Sequence, residues 1–419
     1  MALSFPRFLL EPRWRVTGFL AVAAAVNYAD RVAISAVFPA LKEELHLSDV
    51  TLGLIGSLFL WSYALASPFA GMLADRFSRS LLVLLSLVVW SGVTGLTGIA
   101  SGLLMLCILR VALGISESLY LPSAIALLAD HHPPATRARA MSFHSMGLNL
   151  GVVAGGTCAG FLADHYGWRA GFWILGAAGL ALAGFSRFFL SDAPRAKRLN
   201  ATAGTAWSQA LAPLRYFLRT PSFLILLGAE MLTGVTIWIF LNWLPLYFRE
   251  AFDMSLGAAG FVGAVMLQGA MVTGIGVGGW ISDKTAVRHP RRRMLLLALS
   301  YIAASPILLL FLTSPGFAVV VVTISGFSFL RGLGEANEKA ALCEVVPVQF
   351  RSTALGCMNT LACAAGGVGV FLAGWFKKDL GLNAVFAASS GLLLFSGLSL
   401  FAGFWFFMRR DMERAQALE

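Results

Sequence analysis

The sequence predicts an all-α membrane protein: twelve transmembrane helices in two pseudo-symmetric six-helix bundles, with both termini cytoplasmic. Three observations predict it. First, only 12% of the 419 residues are charged while 58% are hydrophobic, and the mean hydropathy is +0.78. A soluble domain carries about 25% charged residues, so this chain cannot cover a 44.8 kDa soluble particle. A soluble enzyme, a nucleic-acid-binding domain and a disordered chain are excluded on that ground. Second, apolar runs long enough to cross a bilayer recur twelve times. Third, loop motifs of the first half return in the second half at fixed offsets.

A spanning helix needs about 20 mostly apolar residues. Runs between charged or Pro/Gly-rich breaks fall at roughly 15–38, 50–73, 81–99, 102–129, 140–162 and 170–190 in the first half. In the second half they fall at roughly 222–248, 257–281, 294–313, 319–343, 353–375 and 384–408. Barrel strands alternate over about ten residues; these runs are longer and continuous, so they are read as helices. Arg7, Arg13 and Arg15 before the run Val16–Val26 imitate a signal peptide. The apolar stretch resumes after Arg31, so it is read as a retained first span. The loops on the side of the termini carry 22 of the 31 Lys and Arg, the opposite loops five, and the spans four. That bias predicts cytoplasmic termini and accounts for the net charge of +10 without a polyanion partner.

The longest break, Ser191 to Thr220, divides the chain into bundles at 1–190 and 221–419 joined by a linker at 191–220. In the linker Trp207, Leu211, Leu214, Phe217 and Leu218 stand at helical spacing among basic residues, which fits an interfacial helix or a plain connection. Gly71-x-x-x-Asp75-Arg76 after span 2 returns as Gly279-x-x-x-Asp283-Lys284 after span 8, an offset of 208. Asp130, Arg137 and Ala140 after span 4 return as Glu344, Arg351 and Ala354 after span 10, an offset of 214. A parallel duplication implies halves related by an axis normal to the membrane, with a binding site between them.

No CxxC, HExxH, Walker-type or GxSxG pattern occurs, and the five cysteines all lie in apolar stretches. No metal site, disulfide framework, cofactor or enzymatic activity is therefore expected. With no ATPase module, active transport would run on an ion or substrate gradient.

These motifs resemble the major facilitator superfamily over the whole chain. Gly71-x-x-x-Asp75-Arg76-x-x-Arg79 is similar to that superfamily's signature loop between helices 2 and 3. Asn27-Tyr28-Ala-Asp30-Arg31 in span 1, Tyr63 in span 2 and Arg110-x6-Glu117 in span 4 resemble the anion:cation symporters, which carry sugar acids and other organic anions. Spinster-like lysolipid and sphingolipid transporters share nearly the same pattern, so a proton-linked lysolipid carrier is the alternative. Drug/proton antiporters of the superfamily usually show a Gly-Pro motif in helix 5. Span 5 here has Gly147, Gly151, Gly155, Gly156 and Gly160 and no proline, read as close helix packing. The resemblance implies a monomeric, multi-pass carrier of a small organic anion and protons. Lipid bilayer is its medium, nucleic acid is no partner, and short loops suggest a bacterial inner membrane.

The charges inside the spans are the informative residues, because an ionised side chain at the bilayer centre costs at least about 2.5–3.5 kcal/mol. Asn27, Arg31 and Ser35 share one helix face, and Arg110 and Glu117 are two turns apart with Gly114 between them. Arg31 and Arg110 are the expected bidentate anion site, and Glu117 and Asp30 the expected proton carriers. Ionised, an acid pairs with an arginine and competes with the anion; protonated, it frees that arginine. The alternative is a structural network tying helices together by Asp30–Arg110 or Glu117–Arg31 pairs. At the 214 offset Glu117 corresponds to Arg331 in span 10, which also holds Glu335, Asn337, Glu338 and Lys339. Glu338 and Lys339 are expected near the solvated end. Tyr28, Tyr63, Asn149, Trp238, Asn242 and Asn359 are candidate polar or stacking contacts, with Arg331 and Glu335. Gly71, Asp75, Arg76 and Arg79, with Asp283 and Lys284 as the weaker counterpart, are the expected cytoplasmic gate.

Overall fold

The structure, a computed structural model, describes residues 11–192, 213–286 and 289–418, without the side chains of Asp75, Pro134 and Ala138. Trp207 and Leu211, on which an interfacial helix was expected, lie outside the described residues. The first half forms α1 (Pro12–Ala36), the short α2 (Phe38–Glu44), α3 (Asp49–Arg76), α4 (Arg79–Thr97), α5 (Leu103–Ser118), α6 (Tyr120–His131), α7 (Pro134–Tyr166) and α8 (Trp168–Phe189). The second forms α9 (Pro221–Phe252), α10 (Leu256–Ala286), α11 (Arg292–Leu308), α12 (Phe317–Val345), α13 (Arg351–Phe406) and α14 (Met408–Gln416).

Among the described residues, eleven helical segments are long and apolar enough to cross a membrane. The last contains Gly381 at φ 75° and ψ 163°. Only glycine enters that region without a Cβ penalty, so α13 breaks there. Each piece exceeds the about 20 residues a span needs, and the two pieces are the eleventh and twelfth spans. The fourth span is also interrupted: α5 ends at Ser118 and α6 restarts at Tyr120.

Two compact units result. One holds α1–α8 together with Leu244–Val262, the end of α9 and the start of α10. The other holds the rest of α9 and the chain from Gly263 onward. Leu244–Val262 follow the linker in the chain but pack with the first half. Their packing explains why. Asp164 at the end of α7 accepts the N–H groups of Leu256 (3.0 Å) and Gly257 (2.9 Å), capping the first turn of α10. A Cβ on Gly160 would strike the Leu256 carbonyl, and one on Gly260 the Gly156 carbonyl.

The same helix α7 seats α1. Cβ atoms on Gly147, Gly151 and Gly155 would collide with the backbone of Ala21, Ala25 and Ala29 respectively. Three glycines and three alanines, each set spaced by four, let two backbones touch along three turns. That contact holds α1, the carrier of Asn27, Asp30 and Arg31.

The duplication extends to side-chain geometry. Arg79 pairs with Asp130 in the first unit, and Arg293 pairs with Glu344 at 2.6 Å in the second. Arg137 donates to the carbonyls of Ala129 (3.2 Å) and His132 (3.4 Å). Arg351 donates to those of Cys343 and Val346, both at 3.1 Å. Every one of these partners is displaced by the same 214 positions, so the repeat preserves interactions and not only letters.

In the second unit Tyr216 and Phe217 pack into a core with Phe223, Leu297, Tyr301, Val345 and Met408. Beneath it the fully buried Asp411 of α14 accepts the N–H of Ser222 at 2.9 Å, capping α9. Asp411→Ala is expected to cost about 1–2 kcal/mol, the scale of a lost helix cap. Thermal unfolding in detergent measures it, and an unchanged midpoint would show that α14 does not anchor α9.

In the first unit Trp168 donates to Glu44 at 2.7 Å, and Arg169 pairs with the other carboxyl oxygen. The Arg169 hydrogen bond holds the Glu44 carboxyl below its ordinary value. A lowered folded pKa gives stability that is present above the unfolded value and lost as pH falls through the folded one. Glu44→Gln should therefore lower the melting temperature slightly at neutral pH. The difference should close below about pH 4. The effect is small because the group is largely exposed.

Candidate functional site

The site in the first unit is assembled by three helices. From α1 come Asn27, Tyr28, Asp30 and Arg31, from α3 Phe59 and Tyr63, and from α5 Arg110 and Glu117. Gly114 decides how α5 meets α3. A Cβ there would collide with Ser62 Oγ and the Phe59 carbonyl, so the glycine admits a partner helix.

At the centre Arg31 Nε lies 2.7 Å from Glu117 Oε2, with both side chains buried, 4% and 0% exposed. The Arg31 guanidinium lies 4.6 Å from the ring centres of both Tyr28 and Tyr63 and 5.2 Å from that of Phe59. Such an aromatic collar attracts the cation through the ring quadrupoles and keeps water away. Arg110 approaches the Phe59 ring at 4.9 Å, so one ring serves both arginines.

Asp30 is buried, with Glu117, Thr94 and Arg110 as its charged and polar neighbours. Among the described residues neither of its carboxyl oxygens has a hydrogen-bond partner. The same holds for Glu117 Oε1, Arg110 Nε and both amide atoms of Asn27. A buried polar atom left unpaired costs about 1–3 kcal/mol. One acid and one arginine are thus satisfied by each other, while further donors and acceptors beside them are not. That arrangement can bind a planar anion at the guanidinium groups and can take up protons at the acids.

The expected residues are distributed as follows. Asp30, Arg31, Arg110, Glu117, Asn27, Tyr28 and Tyr63 come together. Phe59 was not anticipated, because a phenylalanine in an apolar run carries no signal until its ring is seen between two guanidinium groups. Asn149 donates to the Ser145 carbonyl (3.0 Å) and Asn242 to the Trp238 carbonyl (2.9 Å), each within its own helix. Trp238 packs where a Cβ on Gly366 would be, and Asn359 is exposed. Arg331 pairs with Glu335 at 2.7 Å, one turn along α12.

Glu338, expected near solvent, is buried at 3% exposure, whereas Lys339 is exposed. The reason is helical phase: Glu338 lies two turns from Arg331 and shares its inward face, and the next residue points away. Glu230 of α9, an acid in the middle of an apolar run, was not anticipated; it is one of the charged neighbours of Glu338.

Of the gate residues, Arg79 pairs with Asp130 and Arg76 is exposed. A Cβ on Gly71 would meet nothing, and the Asp75 side chain lies outside the described residues. Asp283 and Lys284 are exposed, and the Lys284 ammonium sits 3.7 Å from the centre of the Trp280 ring.

A family model, the Major Facilitator Superfamily, matches residues 20–337. The chain belongs to that superfamily. This facilitator is therefore an integral, multi-pass membrane protein. It is 26% identical over 399 residues to the hexuronate transporter of Bacillus subtilis, covering 91% of this chain and 92% of the relative. It is 28% identical over 403 residues to the probable sulfoacetate transporter SauU of Cupriavidus necator, covering 92% of each. Among solved structures it resembles a bacterial homolog of the human lysosomal transporter Spinster, with a TM-score of 0.72. That likeness covers 96% of this chain and 98% of the other at 22% identity, and it speaks to the fold alone. The family and these relatives are transporters, and the relatives' names refer to organic acids.

Proposed function

We propose that this facilitator is a proton-coupled symporter of a small organic anion, a sugar acid or another carboxylate, working by alternating access. The observation that carries the reading is the buried Arg31–Glu117 pair inside its aromatic collar, with Asp30 and Arg110 beside it. While Glu117 is ionised it occupies Arg31. When it takes a proton the guanidinium loses its partner, and the carboxylate of a substrate can accept two parallel hydrogen bonds from it. The proton thus removes the anion's competitor, so proton and anion bind together and travel together. Among the described residues Asp30 and Arg110 stand beside that pair with unpaired polar atoms, a second acid for a proton and a second guanidinium for the anion. Asn27, Tyr28 and Tyr63 then offer amide and phenolic groups to substrate hydroxyls. In this reading both termini and the Arg79–Asp130 pair face the cytoplasm, where that pair braces the gate.

The test is proton movement in proteoliposomes with a trapped pH dye, challenged in turn with sugar acids, monocarboxylates, dicarboxylates and lysophospholipids. A pH change with a small anion supports the symporter and names its substrate class. A pH change with lysophospholipids alone replaces it by the spinster-like alternative. Anion uptake with no proton movement overturns the coupling.

A further inference from the structure

The break in the fourth span falls just beyond Glu117, where α5 ends at Ser118 and α6 restarts at Tyr120. Inside a helix the backbone ladder carries position from turn to turn; across a break side chains must do it. Tyr120, the first residue after the break, is fully buried. Its ring meets that of Trp90 on α4 edge-on, with centroids 5.4 Å apart, and stacks on that of His144 on α7 at 5.9 Å. Its hydroxyl donates to the Leu20 carbonyl of α1 at 2.7 Å and lies 3.0 Å from His144 Nε2. His144 is buried, and the proposed mechanism does not use it.

A single hydroxyl proton decides the direction of this chain. A carbonyl oxygen has no hydrogen to give, so the contact with Leu20 holds the proton of the Tyr120 hydroxyl. The phenolic oxygen can then only accept from His144, and Nε2 must carry the imidazole's hydrogen. The opposite tautomer would take the hydroxyl proton from the carbonyl and place an N–H at Nδ1, which has no hydrogen-bond partner among the described residues. A buried donor without an acceptor is costly. The hydrogen bonds therefore run one way, from His144 on α7 through Tyr120 on α6 to Leu20 on α1. Both ends of this relay lie where they can align the buried pair. Gly147, one turn along α7 from His144, lacks the Cβ that would strike the Ala21 carbonyl next to Leu20. On α1 Leu20 and Arg31 are eleven residues apart, three turns on one face. On the broken span Glu117 and Tyr120 flank the break.

We propose that His144 is a positioning residue for the Arg31–Glu117 pair: as the Nε2–H tautomer it holds the Tyr120 hydroxyl on the Leu20 carbonyl, and so fixes the broken span that carries Glu117 against the helix that carries Arg31. The three-helix relay supplies the alignment that the interrupted backbone ladder cannot. Imidazole suits the position because its donor sits on a rigid ring that also stacks on the phenol. A glutamine can present an amide N–H near the same point; an asparagine, one methylene shorter, cannot. The value of this alignment for transport rests on the symport proposed for the pair, but the alignment itself does not, so its test requires no substrate and no transport.

The experiment is nuclear magnetic resonance of purified full-length protein in detergent at neutral pH, with isotope-labelled histidine and arginine side-chain nitrogens. His144, assigned by the signals that His144→Gln removes, should show its proton on Nε2 and a bare Nδ1. The Arg31 Nε–H, assigned by Arg31→Lys, should carry the downfield shift of a hydrogen bond to a carboxylate. His144→Asn and Tyr120→Phe should each move that signal toward the position of a free guanidinium. The two together should move it no further than either alone, because they cut one relay. His144→Gln should leave it in place. A proton on Nδ1 in the wild type would overturn the relay without recourse to any variant. An Arg31 signal unmoved in Tyr120→Phe would overturn the positioning. An equal shift in His144→Gln and His144→Asn would overturn it too, since ring packing and not the donated hydrogen bond would then hold the pair. Size-exclusion profiles identify any variant that misfolds. Failure of proton coupling in proteoliposomes would leave these spectra unchanged, so the two ideas fail separately.

Discussion

Glu117→Gln is expected to abolish substrate-driven proton movement and uptake against a gradient, while leaving exchange of substrate across the membrane intact. Glutamine matches the shape of a protonated glutamate but can neither gain nor lose a proton. Its amide oxygen can still accept from Arg31 Nε, now 2.7 Å from the carboxylate, without holding that guanidinium as a charge would. The variant therefore resembles the proton-loaded carrier permanently. Substrate can bind and be exchanged, but no proton accompanies it, so a pH gradient no longer drives accumulation. The measurements are dye-reported pH change and counterflow of labelled substrate in the same proteoliposomes. Loss of counterflow together with proton movement would mean that Glu117 contacts substrate or holds the fold. Proton movement at the wild-type rate would remove Glu117 from the coupling mechanism.

Arg31→Ala is expected to be the most destabilising single change in the first unit, by about 3–5 kcal/mol. It strands Glu117 fully buried without its counter-charge and empties the collar formed by Tyr28, Phe59 and Tyr63. It should also reduce anion binding to background, since the bidentate donor is gone. Arg31→Lys should restore part of the stability and little of the binding. A lysine ammonium has no planar face to lie between two tyrosine rings and cannot fork onto a carboxylate. Arg31→Ala combined with Glu117→Gln should be more stable than the sum of the single effects, by about 0.5–3 kcal/mol, because no buried charge is left alone. Thermal unfolding in detergent and titration calorimetry with the identified anion give the two readouts. Strict additivity would show that the pair is energetically uncoupled despite its distance.

Much of the first-unit site is legible in the sequence because buried charge is rare there. Arg31, Arg110, Asp30 and Glu117 stand out against apolar runs, and helical spacing puts Arg110 and Glu117 on one face. Which acid meets which arginine is not legible. The pairing of Arg31 with Glu117 depends on α5 seating on α3 at Gly114 and on α1 seating on α7 through three glycines. Phe59 and Glu230 escape for opposite reasons. Phe59 has no chemistry until it is seen between guanidinium groups. Glu230 is a charge in an apolar run, the same signal that marks Asp30, but its charged neighbour Glu338 lies on a helix more than a hundred residues later. Glu338 itself was misjudged because depth was read from its distance to the end of the run rather than from the face it occupies.

Composition and run length alone decide that this chain is helical and lives in a membrane. A polypeptide with so few charges has no stable soluble surface, and backbone groups in hydrocarbon must be satisfied within each segment. The repeat offsets of 208 and 214 likewise follow from the letters, because equal spacing on equal helices places equal loops at equal depth. Tertiary packing decides the rest. The partition of Leu244–Val262, the break at Gly381 and the partner of each buried charge all depend on which helix faces touch. Periodicity specifies the face of a helix, but the neighbour that covers it is chosen by side-chain size at the contact, and here that choice falls repeatedly on glycine.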